Sequence, residues 1–284
     1  MEKISLVMAS RNEGEELQNT LHSIYDSVDK YDPEIIVIDD ASEDGSCNNL
    51  DSRVNLVVNH KQMGMSRGRE RGLRFASGEV LCILDPHMRF EKGLFDRLYD
   101  VAKEGCFAQP KIGVLHRQDN LGWEAEIKWK SNLKFVGSSW TKKATNQALM
   151  CPAWAFPRMF LSSVLEFYDT DARWWWDDST ISVWAKFHKI AICRLVEFTA
   201  QHLFKQNSSK TWGSVKNGSV RKANYQAYTK IFHPLTCRYL FGIEDGGLKD
   251  DATKKITDCE FFSSIGDRNL ITEGDYGSVT AIEN

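Results

Sequence analysis

No stretch of this 284-residue chain is long and apolar enough to span a membrane, and its first residues lack the basic-then-apolar order of a secretory leader. A soluble, cytoplasmic protein is the expectation. Cysteine is sparse and unorganised: seven residues, at 47, 82, 106, 151, 193, 237 and 259, with no Cys-x-x-Cys pair. That excludes a disulfide scaffold, and Cys82 inside Val-Leu-Cys-Ile-Leu points to reduced, buried thiols. Net charge is only −3, which excludes a surface basic all over as a wrap for nucleic acid, while local basic patches stay open. Glycine is scarce where a nucleotidyltransferase needs it. The loop after the first apolar run, Ser10-Arg11-Asn12-Glu13-Gly14, holds one glycine and one acid. A second ligand cluster, as a metallohydrolase requires, is also missing.

What remains is ordinary globular composition, 42% hydrophobic and 26% charged, at a length that suits one large α/β domain with or without a small appendage. The first half alternates strand and helix signals. Ile4 to Ala9, Ile35 to Ile38, Leu56 to Val58 and Val80 to Leu84 are short apolar runs, the third weaker than the rest. Between them Leu17, Leu21, Ile24 and Val28 fall on one helical face, and Met65 to Ala76 predicts a helix stopped by Ser77-Gly78. This alternation predicts a mostly parallel central sheet with helices on both faces, a Rossmann-like arrangement. Residues 119–156 predict loops and short strands, Asp178 to Lys189 a helix, Ile190 to Phe198 a strand and Val220 to Phe232 a helix. Lys205 to Gly218 is polar and predicts a mobile loop; beyond Gly246 the chain is polar and mixed in charge. The expected organisation is a single catalytic domain over 1–242, divided at 118/119 into a nucleotide-binding and an acceptor half, followed by a tail or small appendage over 243–284.

Ligands in such sheets gather at the carboxyl ends of strands, and acids stand there. Asp85-Pro86-His87 closes the fourth strand. Side chains two residues apart on extended backbone point to one side, so Asp85 and His87 reach a common ion. Oxygen and imidazole ligands together suit Mn²⁺, with Mg²⁺ as competitor, placed to neutralise a departing diphosphate. The plain alternative is a strand-end Asp and a surface His. Asp39-Asp40 closes the second strand, where a carboxylate accepts from a uracil imide or ribose hydroxyls; ordinary turn chemistry explains the same residues.

Taken in order with Gly64-Met65-Ser66-Arg67, these elements resemble glycosyltransferase family 2 of the GT-A fold. The most specific stretch runs from Gly64 to His87. The resemblance implies Ala9 and Asn12 in the nucleotide loop, Asp39 or Asp40 at the base and Arg67 at the phosphates. Within the family the sequence is most similar to the polypeptide N-acetylgalactosaminyltransferase branch, which uses Asp-x-His where most members use Asp-x-Asp. Gly122 to Trp129 resembles that branch's Trp-x5-Trp segment, and Trp174-Trp175-Trp176-Asp177-Asp178 its acidic element before a helix. Gln201-His202-Leu203-Phe204-Lys205 resembles an element whose histidine is the third metal ligand, which makes His202 the partner of Asp85 and His87. Asp178, with Asp177 beside it, is implied as the base that takes a proton from the acceptor hydroxyl. Trp212 falls in what the resemblance makes a lid over the donor. The remaining histidines, 22, 60, 116, 188 and 233, are left as structural.

Departures limit what the resemblance carries. Relatives have a small Gly-Gly element where this chain has Pro152-Ala153-Trp154-Ala155-Phe156, so Trp154 reshapes the sugar pocket and leaves glucose or galactose open beside GalNAc. Relatives carry Glu-Asn in place of Asp177-Asp178, which leaves inversion or retention open. Lys205, Lys210, Lys216, Arg221 and Lys222, and Lys130, Lys134 and Lys142 near Trp129 and Trp140, are runs without an acid. Basic residues interleaved with aromatics suit a polyanionic acceptor such as hydroxymethylated DNA, and equally a lid closing on the diphosphate. The expected activity is metal-dependent transfer of a hexose from a UDP-sugar to an acceptor hydroxyl. A non-catalytic sugar-nucleotide-binding module is the reading from another class.

Overall fold

The computed structural model describes residues 2–117, 124–129, 136–141, 147–149, 152–168, 177–204, 226–232 and 237. Expectations for Trp212, Trp123, the three tryptophans at 174–176, the loop at 205–218 and the tail at 243–284 lie outside these residues.

Strand β1 (Ile4–Ser10) is buried at every position, as a strand covered on both faces must be. It is followed by α1 (Glu16–Ser27), β2 (Pro33–Asp39), β3 (Val54–Val58), α2 (Met65–Phe75) and β4 (Val80–Leu84). The chain continues through β5 (Met88–Arg89), α3 (Leu94–Ala102), β6 (Phe107–Val114), β7 (Glu124–Trp129), β8 (Val136–Thr141) and β9 (Gln147–Ala148). Then come β10 (Ala153–Pro157), α4 (Leu161–Tyr168), α5 (Asp177–Phe187) and β11 (Ile192–His202). Among the described residues the main sheet has eight strands in the order β3-β2-β1-β4-β10-β6-β11-β5, and β8-β7-β9 form a second, antiparallel sheet. Strands β1 to β4 pair in parallel, as do β6 and β11, while β10 and β5 run against their neighbours.

The step from β1 to β2 crosses the sheet in one direction and the step from β3 to β4 in the other. Right-handed crossovers therefore put α1 and α2 on opposite faces. Helix α3 joins α1 by packing on β6, β10 and β11, and α4 and α5 stack in the layer of α2. The reversal of direction lies between β1 and β4, so their carboxyl ends flank the crevice where ligands of open α/β sheets bind.

Helix α2 lies unusually close to the sheet. It buries Met65, Gly68, Arg69, Gly72 and Leu73, an i, i+3, i+4, i+7, i+8 stripe that contains two glycines. A Cβ at Gly68 would stand 2.7 Å from Ala9 Cβ, and one at Gly72 2.4 Å from Val7 Cγ1. The absence of those methyls is what brings the helix axis down onto β1.

The structure extends the sequence reading at several points. The last predicted strand does not stop at Phe198 but runs to His202, with a register shift between Leu195 and Thr199. That shift falls opposite Pro110 of β6, which has no N–H to give to the ladder. Helix α3, strands β5 and β6 and helix α4 were not anticipated, β10 is one of the short strands expected over 119–156, and of the helix expected over Val220 to Phe232 only 226–228 is helical among the described residues.

Replacing Gly72 by alanine tests the close approach. Intrinsic propensity favours alanine by about 1 kcal/mol, but overpacking costs about 1–3 kcal/mol. The expected outcome of thermal unfolding is a Tm lowered by several degrees; an equal or higher Tm would mean that α2 retreats without penalty.

Candidate metal and donor site

Three residues far apart in sequence meet at the crevice. The ligand atoms of Asp85, His87 and His202 all lie within 4.8 Å of one another. Asp85 follows β4, where its N–H donates to Pro152 O at 3.0 Å, so the start of β10 fixes its backbone. His87 precedes β5, and that two-residue strand pairs with the end of β11 through Met88 and His202. Leu203 N–H donates to His87 O at 3.1 Å, which closes the pairing. The short β5 is thus what places His202 beside His87, with ring centroids 4.8 Å apart.

The side chains fit a cation. His202 is 8% exposed, and among the described residues neither ring nitrogen has a hydrogen-bond partner, though Nε2 stands 3.3 Å from Asp85 Oδ2 as an ion-pair neighbour. Burial lowers the His202 pKa and so favours the neutral ring, the form that ligates metals. Burial opposes the charge of Asp85, yet His202 and the Arg69 guanidinium outweigh it and hold the carboxyl below the usual range. His87 Nδ1 lies 2.9 Å from Glu13 Oε2, a carboxylate whose side chain is wholly buried. Glu13 fixes the ring and leaves Nε2 available to a cation, the arrangement of outer support usual for a metal-ligating histidine.

Behind Asp85 stands Arg69, also wholly buried. Its Nη2 donates to Asp85 Oδ1 at 2.7 Å and its Nη1 to Asp177 Oδ2 at 2.6 Å. The hydroxyl of Tyr168 donates to the same Asp177 oxygen at 2.5 Å, and Asp178 N–H to Asp177 Oδ1 at 3.1 Å. Asp177 is therefore a buried anchor joined through Arg69 to Asp85 of the candidate cluster. Asp178 is half-buried in the first turn of α5, and its Oδ1 accepts from Ser179 N–H at 2.8 Å.

The loops after β1 and β2 are laced together. Asn12 N–H donates to Ser42 Oγ at 3.1 Å, Asn12 Oδ1 accepts from Glu43 N–H at 2.8 Å, and Gly14 N–H donates to Asp44 Oδ2 at 2.9 Å. Arg11 Nη1 donates to the carbonyls of Asp40, at 2.7 Å, and of Ala41. Both Asn12 (φ 51°) and Ala41 (φ 59°) sit in the left-handed region, strain that this lacing sustains. Asn12 thus latches the two loops.

Several sequence expectations shift. Asp39 and Asp40 stood as alternatives. Asp40 is wholly buried and accepts from Asn59 Nδ2 at 2.9 Å, Met63 N–H at 2.7 Å and Gly64 N–H at 2.8 Å, so it ties the start of α2 to β2. Asp39 spends one oxygen on Ser42 N–H at 2.9 Å and is left as the candidate for the base. The Ala9 methyl is buried under Gly68 of α2. Trp154, expected at the sugar, is 0% exposed and packs on Phe156 and Phe107 at 5.4 and 5.9 Å; the structure makes it a core residue. Arg67 does not turn inward with Arg69. Its Nη1 donates to Glu70 Oε2 at 2.6 Å on the outer face of α2, where it lines a cleft of about 810 Å³ with Lys61, Met63, Arg71 and Arg74.

Glu13 and Arg69 were missed. The signal for Arg69 was legible: it sits on the buried stripe of α2 between two glycines, a place where a charge needs partners. Glu13 gave no such signal, because its partner is distant in sequence.

Residues 5–165 match the family model described as glycosyl transferase family 2. Poly(ribitol-phosphate) beta-N-acetylglucosaminyltransferase TarP of Staphylococcus aureus is 32% identical over 111 residues, 37% of this chain and 34% of that protein. Inactive polypeptide N-acetylgalactosaminyltransferase-like protein 5 of Macaca fascicularis is 24% identical over 247 residues, 76% of this chain and 53% of that protein. The chain thus spans about a third to a half of the length of these relatives. In fold it is similar to GalNAc-T7 solved with UDP, GalNAc and Mn²⁺, at a TM-score of 0.64 and 18% identity over 81% of this chain and 48% of that one. It is also similar to S. aureus TarS 1–349 in complex with UDP-GlcNAc, at a TM-score of 0.58 and 15% identity over 98% of this chain and 76% of that one.

Glu13→Gln isolates the outer support of His87. Isothermal titration with Mn²⁺ is expected to show affinity about 10–100-fold weaker than in the unaltered chain; equal affinity would mean that His87 needs no orienting carboxylate.

Proposed function

The chain belongs to glycosyltransferase family 2, and on that premise we propose that it moves a hexose from a UDP-sugar to an acceptor hydroxyl, with Asp85, His87 and His202 holding Mn²⁺ or, in its place, Mg²⁺. The observation that carries this reading is the convergence of those three side chains at the β1/β4 crevice, with a buried imidazole whose nitrogens make no hydrogen bond among the described residues. Support also comes from the fold neighbours, one solved with UDP, GalNAc and Mn²⁺ and another with UDP-GlcNAc. Among the described residues no helix is long and apolar enough to cross a membrane.

When bound, the ion supplies positive charge to the diphosphate that leaves as the sugar is transferred. The chain's residues do the rest. Asp39 accepts from the uracil imide or the ribose. Asp178 takes the proton of the acceptor hydroxyl as its oxygen bonds to the anomeric carbon and the bond from that carbon to the diphosphate oxygen breaks. Asp178 stands half-buried in the first turn of α5. Asp177 and Arg69 hold the start of that helix against the metal ligands.

The acceptor divides into two readings, and the cleft beside α2 favours an anionic polymer. Lys61, Arg67, Arg71 and Arg74 line it against the single carboxylate of Glu70. Hydroxymethylated DNA is one such acceptor, held through its phosphates. Charge reversal at Arg71 and Arg74 is expected to reduce transfer to it severalfold and to flatten the salt dependence, while leaving acceptor-free hydrolysis of the donor unchanged.

Incubation with Mn²⁺ and a panel of UDP-sugars is expected to give slow UDP release from at least one donor, abolished by chelator. Release from none, with no Mn²⁺-dependent UDP binding, would sink the assignment and leave at most a binding module without that nucleotide. Asp178→Asn is expected to lower turnover about 10²–10⁴-fold with donor affinity retained; full turnover would remove Asp178 as the base.

A further inference from the structure

Arg69 is one cation between two carboxylates. Its guanidinium is wholly buried and donates to Asp85 Oδ1 at 2.7 Å and to Asp177 Oδ2 at 2.6 Å, so the three groups carry one net negative charge between them. A full guanidinium charge spent on Asp85 alone would cancel the only anionic ligand of the metal cluster. A divided one does not. The division is adjustable, because Asp177 Oδ2 also accepts from the Tyr168 hydroxyl at 2.5 Å and Oδ1 from Asp178 N–H at 3.1 Å. Every bond that Asp177 receives from another donor lessens its pull on Arg69.

We propose that Asp177 sets the metal affinity of the site: it holds Arg69 back from Asp85, and Tyr168 trims that hold. Coupling of this kind is reciprocal. An ion that draws on Asp85 frees Arg69 to tighten on Asp177, which fixes the first turn of α5 where Asp178 stands. Donor-side loading is thereby linked to order on the acceptor side. Asp177 and Tyr168 are positioning residues here, and the inference rests on the metal site proposed above.

The test reads Mn²⁺ binding to the full chain without donor, by electron paramagnetic resonance of the free ion. Asp177→Asn releases Arg69 onto Asp85 and is expected to weaken binding about tenfold. Tyr168→Phe leaves Asp177 with a firmer grip on Arg69 and is expected to tighten binding about two- to fivefold. The opposite signs are decisive, because a loosened fold weakens binding in both variants. Weaker or unchanged binding in Tyr168→Phe overturns the proposal, whether or not Asp177→Asn folds. In the unaltered chain Mn²⁺ is expected to slow amide exchange over 177–187, and in Arg69→Lys to leave it unchanged, since one ammonium does not span two carboxylates. Exchange that ignores Mn²⁺ in the unaltered chain overturns the coupling. No Mn²⁺ binding at all by the unaltered chain overturns the metal site itself and this inference with it.

Discussion

A guanidinium with no access to water dictates much of this architecture. Burying an arginine costs several kcal/mol unless its donors meet acceptors, and removing one partner of such a group costs about 3–5 kcal/mol. Arg69 meets that demand with carboxylates from two different layers of sequence, Asp85 at the end of β4 and Asp177 at the start of α5. The requirement works in both directions. Helix α2 must come close enough for Arg69 to reach, which is why Gly68 and Gly72 face β1, and α5 must begin where Asp177 can answer. A single charge thus fixes one helix against the sheet and the entry of another.

The crevice acquires its chemistry from strand order. β1 and β4 are neighbours whose crossovers leave in opposite directions, so their carboxyl ends flank a crevice. Into that crevice come Glu13 from the loop after β1 and Asp85 and His87 from the end of β4. His202 arrives from the last described strand, brought into line by two residues of β5. The lacing of the first two loops, with Asn12 and Ala41 held in left-handed backbone, walls one side of the crevice.

The parallel half of the fold was legible because its strands are buried on both faces and appear as unbroken apolar runs: Val80 to Leu84 could be little else. Asp85 and His87 were legible for the same reason, standing just past such a run. The strands after β4 were harder to see. β6 carries Pro110 and Lys111, β10 is an Ala-Trp-Ala-Phe-Pro segment bounded by prolines, and β5 has only two residues. None shows a period that local sequence rules detect, because their partners, not their own patterns, make them strands. Local reasoning also sent Trp154 to a pocket, since a tryptophan in a strand between alanines gives no hint of the aromatic layer that encloses it. Arg67 and Arg69 differ by two residues yet face solvent and core, a distinction that the helical phase of α2 contains and motif matching overlooks.

The pairing of β5 with β11 bears on the order of events during synthesis. Strands β1 to β4 can pair from local βαβ units as the chain emerges, but the second imidazole of the candidate cluster, His202, belongs to a strand made much later. Contacts of such sequence separation form last and slowly. A nascent chain therefore passes through a stage with β1 to β4 made, two of the three candidate ligands present and Arg69 still waiting for Asp177. Assembly of the candidate ligand cluster therefore coincides with the pairing of the last described strand, so the three side chains meet only in a nearly finished fold.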